Sequence, residues 1–195
     1  MWKAFVFGAV VAGSIGPIAL LVFGTAAREG FAAGAFAGLG AALADFLYAL
    51  AAFSIGALLL PLLSAHAQAI EVGGALLLVG LGLSMLLRQS RKSGAAEVPR
   101  PAAHALVPTF LLTIVNPMTL VMFAGIVPQL PVAGSFANAA LLALAAGSAA
   151  VQFAISGAGA ALREAIPGAG WRRAASAAAA AGIFAFGVYG LFAAL

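Results

Sequence analysis

The sequence predicts an all-α membrane protein of six transmembrane helices, arranged as two three-helix repeats that enter the bilayer from opposite faces. Three observations predict it: an extreme apolar composition, loop cations that fall on alternate connections, and self-similarity between the two halves. Of 195 residues, 65% are hydrophobic and 7% charged, against roughly 45–50% and about 25% in soluble domains. A soluble fold of this length has too little interior to hide so much apolar surface.

A bilayer core of about 30 Å takes roughly 20 apolar residues per helix, and six segments answer to that length. The first covers residues 4–27. Lys3 followed by Ala4 to Ala12, Gly13 and Ser14 has the look of a signal peptide, but the apolar run continues to about Ala27 and has an internal counterpart. The remaining spans are expected at 31–58, 70–87, 105–127, 137–161 and 174–195. Ser90, Ser93, Gly94, Pro99 and Pro101 mark the one flexible linker. The chain thus divides into a first repeat over 1–88, a linker over 89–104 and a second repeat over 105–195.

Orientation follows from the cations, since Lys and Arg near span ends stay on the cytoplasmic side. The loops after spans 1, 3 and 5 hold Arg28, then Arg88, Arg91, Lys92 and Arg100, then Arg163, Arg172 and Arg173; the other side holds only Lys3. The expectation is a multi-pass inner-membrane protein with both termini outside the cytoplasm. The net charge of +4 therefore reports orientation and not a nucleic-acid partner. With no cysteine, disulfides, thiolate metal sites and dithiol redox chemistry are ruled out, and no cofactor is expected.

The repeat emerges when the halves are overlaid. Gly16-Pro17-Ile18-Ala19-Leu20 falls on Asn116-Pro117-Met118-Thr119-Leu120, and Phe23 on Phe123. Further on, Gly40, Ala42, Asp45 and Phe46 fall on Gly147, Ala149, Gln152 and Phe153, and Gly80 on Gly187. Each half holds an odd number of spans, so the second copy is inverted, and transporters of this plan place their sites mid-membrane where the halves meet.

Pro17 and Pro117 lack an N–H and clash with the preceding turn, which frees the carbonyls of Gly13 and Thr113. A bare carbonyl is costly in hydrocarbon, so these breaks should face protein, water or a ligand; a plain structural kink is the alternative. Asp45 is the only charged residue near the middle of a span, where burial costs roughly 2.5–3.5 kcal/mol on insertion scales. It could hold a substrate ammonium or accept a proton. Tyr48, one turn on, could donate to it. Gln152 is its neutral counterpart. Ser14, Thr113, Asn116 and Thr119 are the other polar groups near the breaks. Gly30, Gly34 and Gly38 form a small-residue stripe for close helix packing that would also permit a homodimer. Glu71 is expected among the headgroups, and His66 and His104 on opposite sides.

Ile15-Gly16-Pro17-Ile18-Ala19-Leu20, Arg28-Glu29-Gly30, Gly38 through Asp45, and Phe110 through Asn116-Pro117 together resemble the lysine exporter family (LysE/RhtB) over nearly the whole chain. The family's first motif is usually Pro-Gly-Pro, where this chain has Ile15-Gly16-Pro17. The resemblance implies efflux of amino acids or related small metabolites, driven by the proton gradient. The pathway would run through Gly16, Pro17, Asp45, Tyr48, Thr113, Asn116, Pro117 and Gln152, with the solute, protons and the lipid bilayer as partners. A metal-cation exporter would want several membrane carboxylate, His or Cys ligands, and only Asp45 is available. An intramembrane enzyme would want two aspartates or a Ser-His pair, so no enzyme is expected. A purely structural membrane protein would leave the repeated breaks unexplained.

Overall fold

A computed structural model of the chain describes residues 1–14, 16–91, 101–116, 119, 122–123, 136–166 and 168–194. Among these there is no strand. The helices are α1 (Trp2–Gly13), α2 (Pro17–Glu29), α3 (Phe31–Ala65), α4 (Ala67–Arg91), α5 (Leu106–Ile114), α6 (Phe136–Ala165) and α7 (Ala169–Ala194), with a 3-10 turn over Ala102–Ala105.

Four of them are long and apolar enough to cross a membrane: α3 over Phe31–Ser54, α4 over Ala67–Leu87, α6 over Asn138–Ala165 and α7 over Gly170–Ala194. The α1–α2 pair, bent by 73°, makes a fifth crossing if counted as one span. The expected fourth span, 105–127, is described as helix through α5 and its preceding turn and again at 119 and 122–123, and the rest of it past Asn116 lies outside the described residues. One boundary differs from expectation. The expected end of span 2 is 58, or Leu63 if it runs on; α3 continues to Ala65, and only His66 separates it from α4. At about 1.5 Å per residue, a 35-residue helix is longer than the bilayer core is thick.

Small side chains form the interior and large ones face out, as expected where lipid is as apolar as leucine and packing depends on close backbone approach. On α3, Ala37, Ala41, Ala44 and Ala49 are buried, whereas Leu39, Leu43, Leu47 and Leu50 are exposed along one stripe. Aromatic rings fill what alanine leaves: Phe123 meets Phe7 edge-on at 5.6 Å and stacks on Tyr48 at 5.7 Å.

Contacts between elements give their directions. Gly8 lies against Leu144, and Gly13 against Val151, so α1 and α6 run parallel. Gly40 lies against Leu106, and Tyr48 reaches Ile114, so α3 and α5 run parallel too. In contrast α3 and α6 are antiparallel, through Gly34 with Ser156, Gly38 with Gln152, and Asp45 with Ser148. So are α4 and α7, through Gly82 with Phe184 and Gln68 with Ala194. The C-terminal ends of α2, α4 and α6 consequently meet the N-terminal ends of α5 and α7 at one end of the bundle. Arg28, Arg163, Arg172 and Arg173 belong to that end.

The glycine stripe of α3 is spent inside the chain. A first side-chain carbon at Gly34 would lie 2.5 Å from Ala26 Cβ, and one at Gly38 would lie 2.8 Å from Gln152 Cβ. It is an internal seam, which removes it as the argument for a homodimer.

Candidate functional site

The first break is built by three residues that cannot continue a helix together. α1 stops at Gly13, and Ser14 adopts extended backbone (φ −61°, ψ 123°). Its hydroxyl donates to the Val11 carbonyl at 2.7 Å, and its N–H to the same oxygen at 3.3 Å. Gly16 is extended, and Pro17 opens α2, where a missing N–H costs nothing because first-turn donors have no helical acceptor. Gly16 offers no side-chain cap to α2. The N–H groups of Ile18 and Ala19, in that first turn, are the ones a Ser or Asp would otherwise satisfy.

In the second half α5 ends at Ile114, two residues before Asn116; Pro117 lies outside the described residues. The Thr113 carbonyl, expected to be bare, accepts the Asn116 N–H at 3.1 Å. The carbonyl left over is that of Ile114, and it is Tyr48 that donates to it. This corrects the expectation that Tyr48 serves Asp45. The end of a helix presents orphan acceptors, and α5 runs parallel to α3 closely enough to bring one to the phenol. Thr113 gives its own hydroxyl to Thr109 at 2.8 Å.

Asp45 is 3% exposed. Ser148 on α6 donates to its Oδ2 at 2.6 Å, a charge-assisted bond if the acid is ionised. Gln152, 2% exposed, comes from the next turn of α6, and its Oε1 has no partner among the described residues. A buried amide oxygen without a donor costs about 1–3 kcal/mol, so an orphan of this kind needs an account.

These groups share one cavity of about 540 Å³, within the range of roughly 300–1,000 Å³ usual for small-molecule sites. Gly16, Pro17, Asp45, Thr113, Asn116 and Gln152 all line it, with Ser14, Ile18, Ala19, Ala41 and Thr119. Tyr48 is not on its wall. Its remaining sides come from α4 (Glu71, Ala75, Leu78) and from the C-terminal part of α7 (Phe186, Tyr189, Gly190, Ala193). Glu71 near the start of α4 and Tyr189 near the end of α7 lie toward the end remote from the arginines, and both are exposed. Glu71, expected among headgroups, thus lines the site as its second carboxylate. The lining residues include no Lys, Arg or His, and no group of three His, Asp or Glu fit to hold a metal ion occurs among the described residues.

The LysE type translocator family model matches residues 9–193, from the last turns of α1 to the end of α7. The chain belongs to the LysE type translocator family. A LysE translocator is a transporter, and the long apolar helices make this member a multi-pass membrane protein. No curated protein and no solved structure matches the chain.

Three residues of the site escaped the sequence reading in part or whole. Ser148 carried a usable signal, since it precedes Gln152 by one turn as Ala41 precedes Asp45. Tyr189 and the inward role of Glu71 depend on how α4 and α7 pack, which no local pattern encodes.

Proposed function

We propose that this LysE translocator is a secondary exporter of amino acids or related small metabolites in the bacterial inner membrane. It works by alternating access between two inverted three-helix halves, coupled to protons. The observation that carries the reading is the one cavity that gathers the first helix break, the end of α5, Asp45 and Gln152, whose Oε1 has no partner among the described residues.

Inverted halves are supported by two glycines at matched positions. Gly40 of α3 lies against the backbone at Leu106 and Phe110, and Gly147 of α6 against the backbone at Phe5 and Ala9. Each half therefore rests a glycine of its second span on the opening span of the other. The parallel and antiparallel pairings fit six alternating crossings, and the arginine-bearing end is the cytoplasmic one by charge bias.

In this reading the solute carboxylate meets the uncapped N–H groups and positive dipole of α2. The ammonium meets Asp45, while Gln152 accepts a donor from the solute. An empty site holds Asp45 protonated, because an unpaired carboxylate at this depth is costly; solute binding displaces the proton and its release on the far side restores it. Replacing Asp45 with Asn is expected to abolish proton-driven counterflow of labelled amino acids in proteoliposomes. Transport at the parent rate would remove Asp45 from the mechanism.

A further inference from the structure

The end of the bundle remote from the cavity mouth is closed by a charged cluster that the translocation site does not use. Glu29, the last residue of α2, accepts from Arg28 Nε at 2.9 Å, and its Oε2 lies 3.4 Å from His104 Nε2 on the 3-10 turn. Arg28 Nη1 reaches across to Ser176 of α7 at 3.3 Å. The next residue, Gly30, has a left-handed backbone (φ 99°) and lies directly under the Arg163 guanidinium of α6. The end of α2 thus meets the 3-10 turn, α6 and α7 at one spot. The Arg28, Glu29 and His104 side chains are 32%, 24% and 28% exposed, so the cluster is in reach of water.

The imidazole sits between two groups that can only accept if Glu29 is ionised. Nδ1 faces the Pro101 carbonyl at 2.8 Å, and Nε2 faces the Glu29 carboxylate. A neutral ring carries one N–H, so it satisfies both only as imidazolium. The charged groups facing this spot among the described residues are Arg28 and Glu29 of α2 and Arg163 of α6; α7 contributes Ser176, which is uncharged. Between cluster and cavity the helices are tightly seated, Gly34 on Ala26 and Ser156, and Gly38 on Gln152.

We propose that the Glu29–His104 contact is a proton-sensitive latch, holding the arginine-bearing end shut while the cavity is open at the other. The proposal rests on the transporter reading, since it takes the two ends as the alternating faces. A proton on His104 tightens the closure. Its loss removes the charge from the Nε2–Glu29 pair and leaves one of the two acceptors without a donor, which lets the end of α2 part from the 3-10 turn.

The chain has no cysteine, which allows a clean reporter. Ser156 is fully buried between latch and cavity, and Ser156→Cys places one thiol there. Its maleimide labelling in nanodiscs is measured at pH 6 and pH 8, with and without His104→Gln. Dividing the two rates at each pH cancels the thiol's own ionisation. At pH 6 the protein with His104 is expected to label roughly threefold more slowly, as suits a partly exposed pair, and at pH 8 the ratio is expected to approach one. Glu29→Gln should speed labelling at pH 6 by a similar factor. If Glu29→Gln does not fold, the His104→Gln ratio alone decides. A ratio of one at pH 6, or one indifferent to pH, overturns the latch and leaves the transporter reading standing. Failure of counterflow for every solute overturns the transporter reading whatever the ratio.

Discussion

The sequence overlay matches Asp45 with Gln152, and the two have opposite surroundings. Asp45 is met by a hydroxyl, Ser148, from the helix that carries Gln152. The position one turn before Asp45, which would return the favour to Gln152, is Ala41, and the Gln152 oxygen is left without a partner. Both residues are almost wholly buried and both line the cavity. On the proposed repeat the two halves share a backbone plan and differ in chemistry: one supplies an acid with a hydroxyl donor, the other an amide oxygen with no partner among the described residues. A symmetric pair of acids would double the cost of charge in the membrane, and one acid beside a neutral acceptor avoids that.

The shared backbone is the part most easily broken. Gly147→Ala would drive a carbon to 2.0 Å from the Phe5 carbonyl oxygen, and Gly40→Ala one to 2.3 Å from that of Leu106. Each is expected to destabilise the protein by about 2–3 kcal/mol, read as a fall in thermal midpoint in detergent. Gly80→Ala, where nothing lies within 4 Å, should be neutral or slightly stabilising. Equal effects at all three positions would mean the matched glycines have no special role.

The chemical difference can be tested more gently. Ser148→Ala leaves Asp45 Oδ2 without its donor, a loss on the order of 1–3 kcal/mol for a buried acceptor. Counterflow should fall roughly tenfold, and Ser148→Thr, which keeps the hydroxyl, should restore part of it. A parent-like rate in Ser148→Ala would show that the bond is incidental to transport. The smallest effect is expected from Ala41→Ser, which gives Gln152 the kind of neighbour Asp45 already has. Stability should rise by about 0.5–1 kcal/mol while solute affinity drops severalfold, because the acceptor is then occupied. Higher affinity in Ala41→Ser would argue that Gln152 does not contact the solute.

Much of this was legible before any coordinates. Apolar runs of membrane length located the long helices, because no other environment tolerates them. Pro17 after Gly16 marked the first break, since proline at an opening turn costs nothing and inside a helix a great deal. Asp45 stood out because a charge at mid-span needs a reason. What stayed hidden was tertiary. The partners of Asp45 and Tyr48 both come from the other half of the chain, and nothing in their own helix specifies them. The end of α3 was legible only roughly, because Pro61 interrupts an apolar run that continues to Leu63.

Tyr48 and Asp45 are one turn apart on α3, and each holds a different element of the opposing half, the phenol gripping α5 and the carboxylate gripping α6. A short rigid stretch of α3 is therefore yoked to both. On the transport reading proposed above, a shift of the acid on gaining or losing a proton would pull on the end of α5 through the same rod.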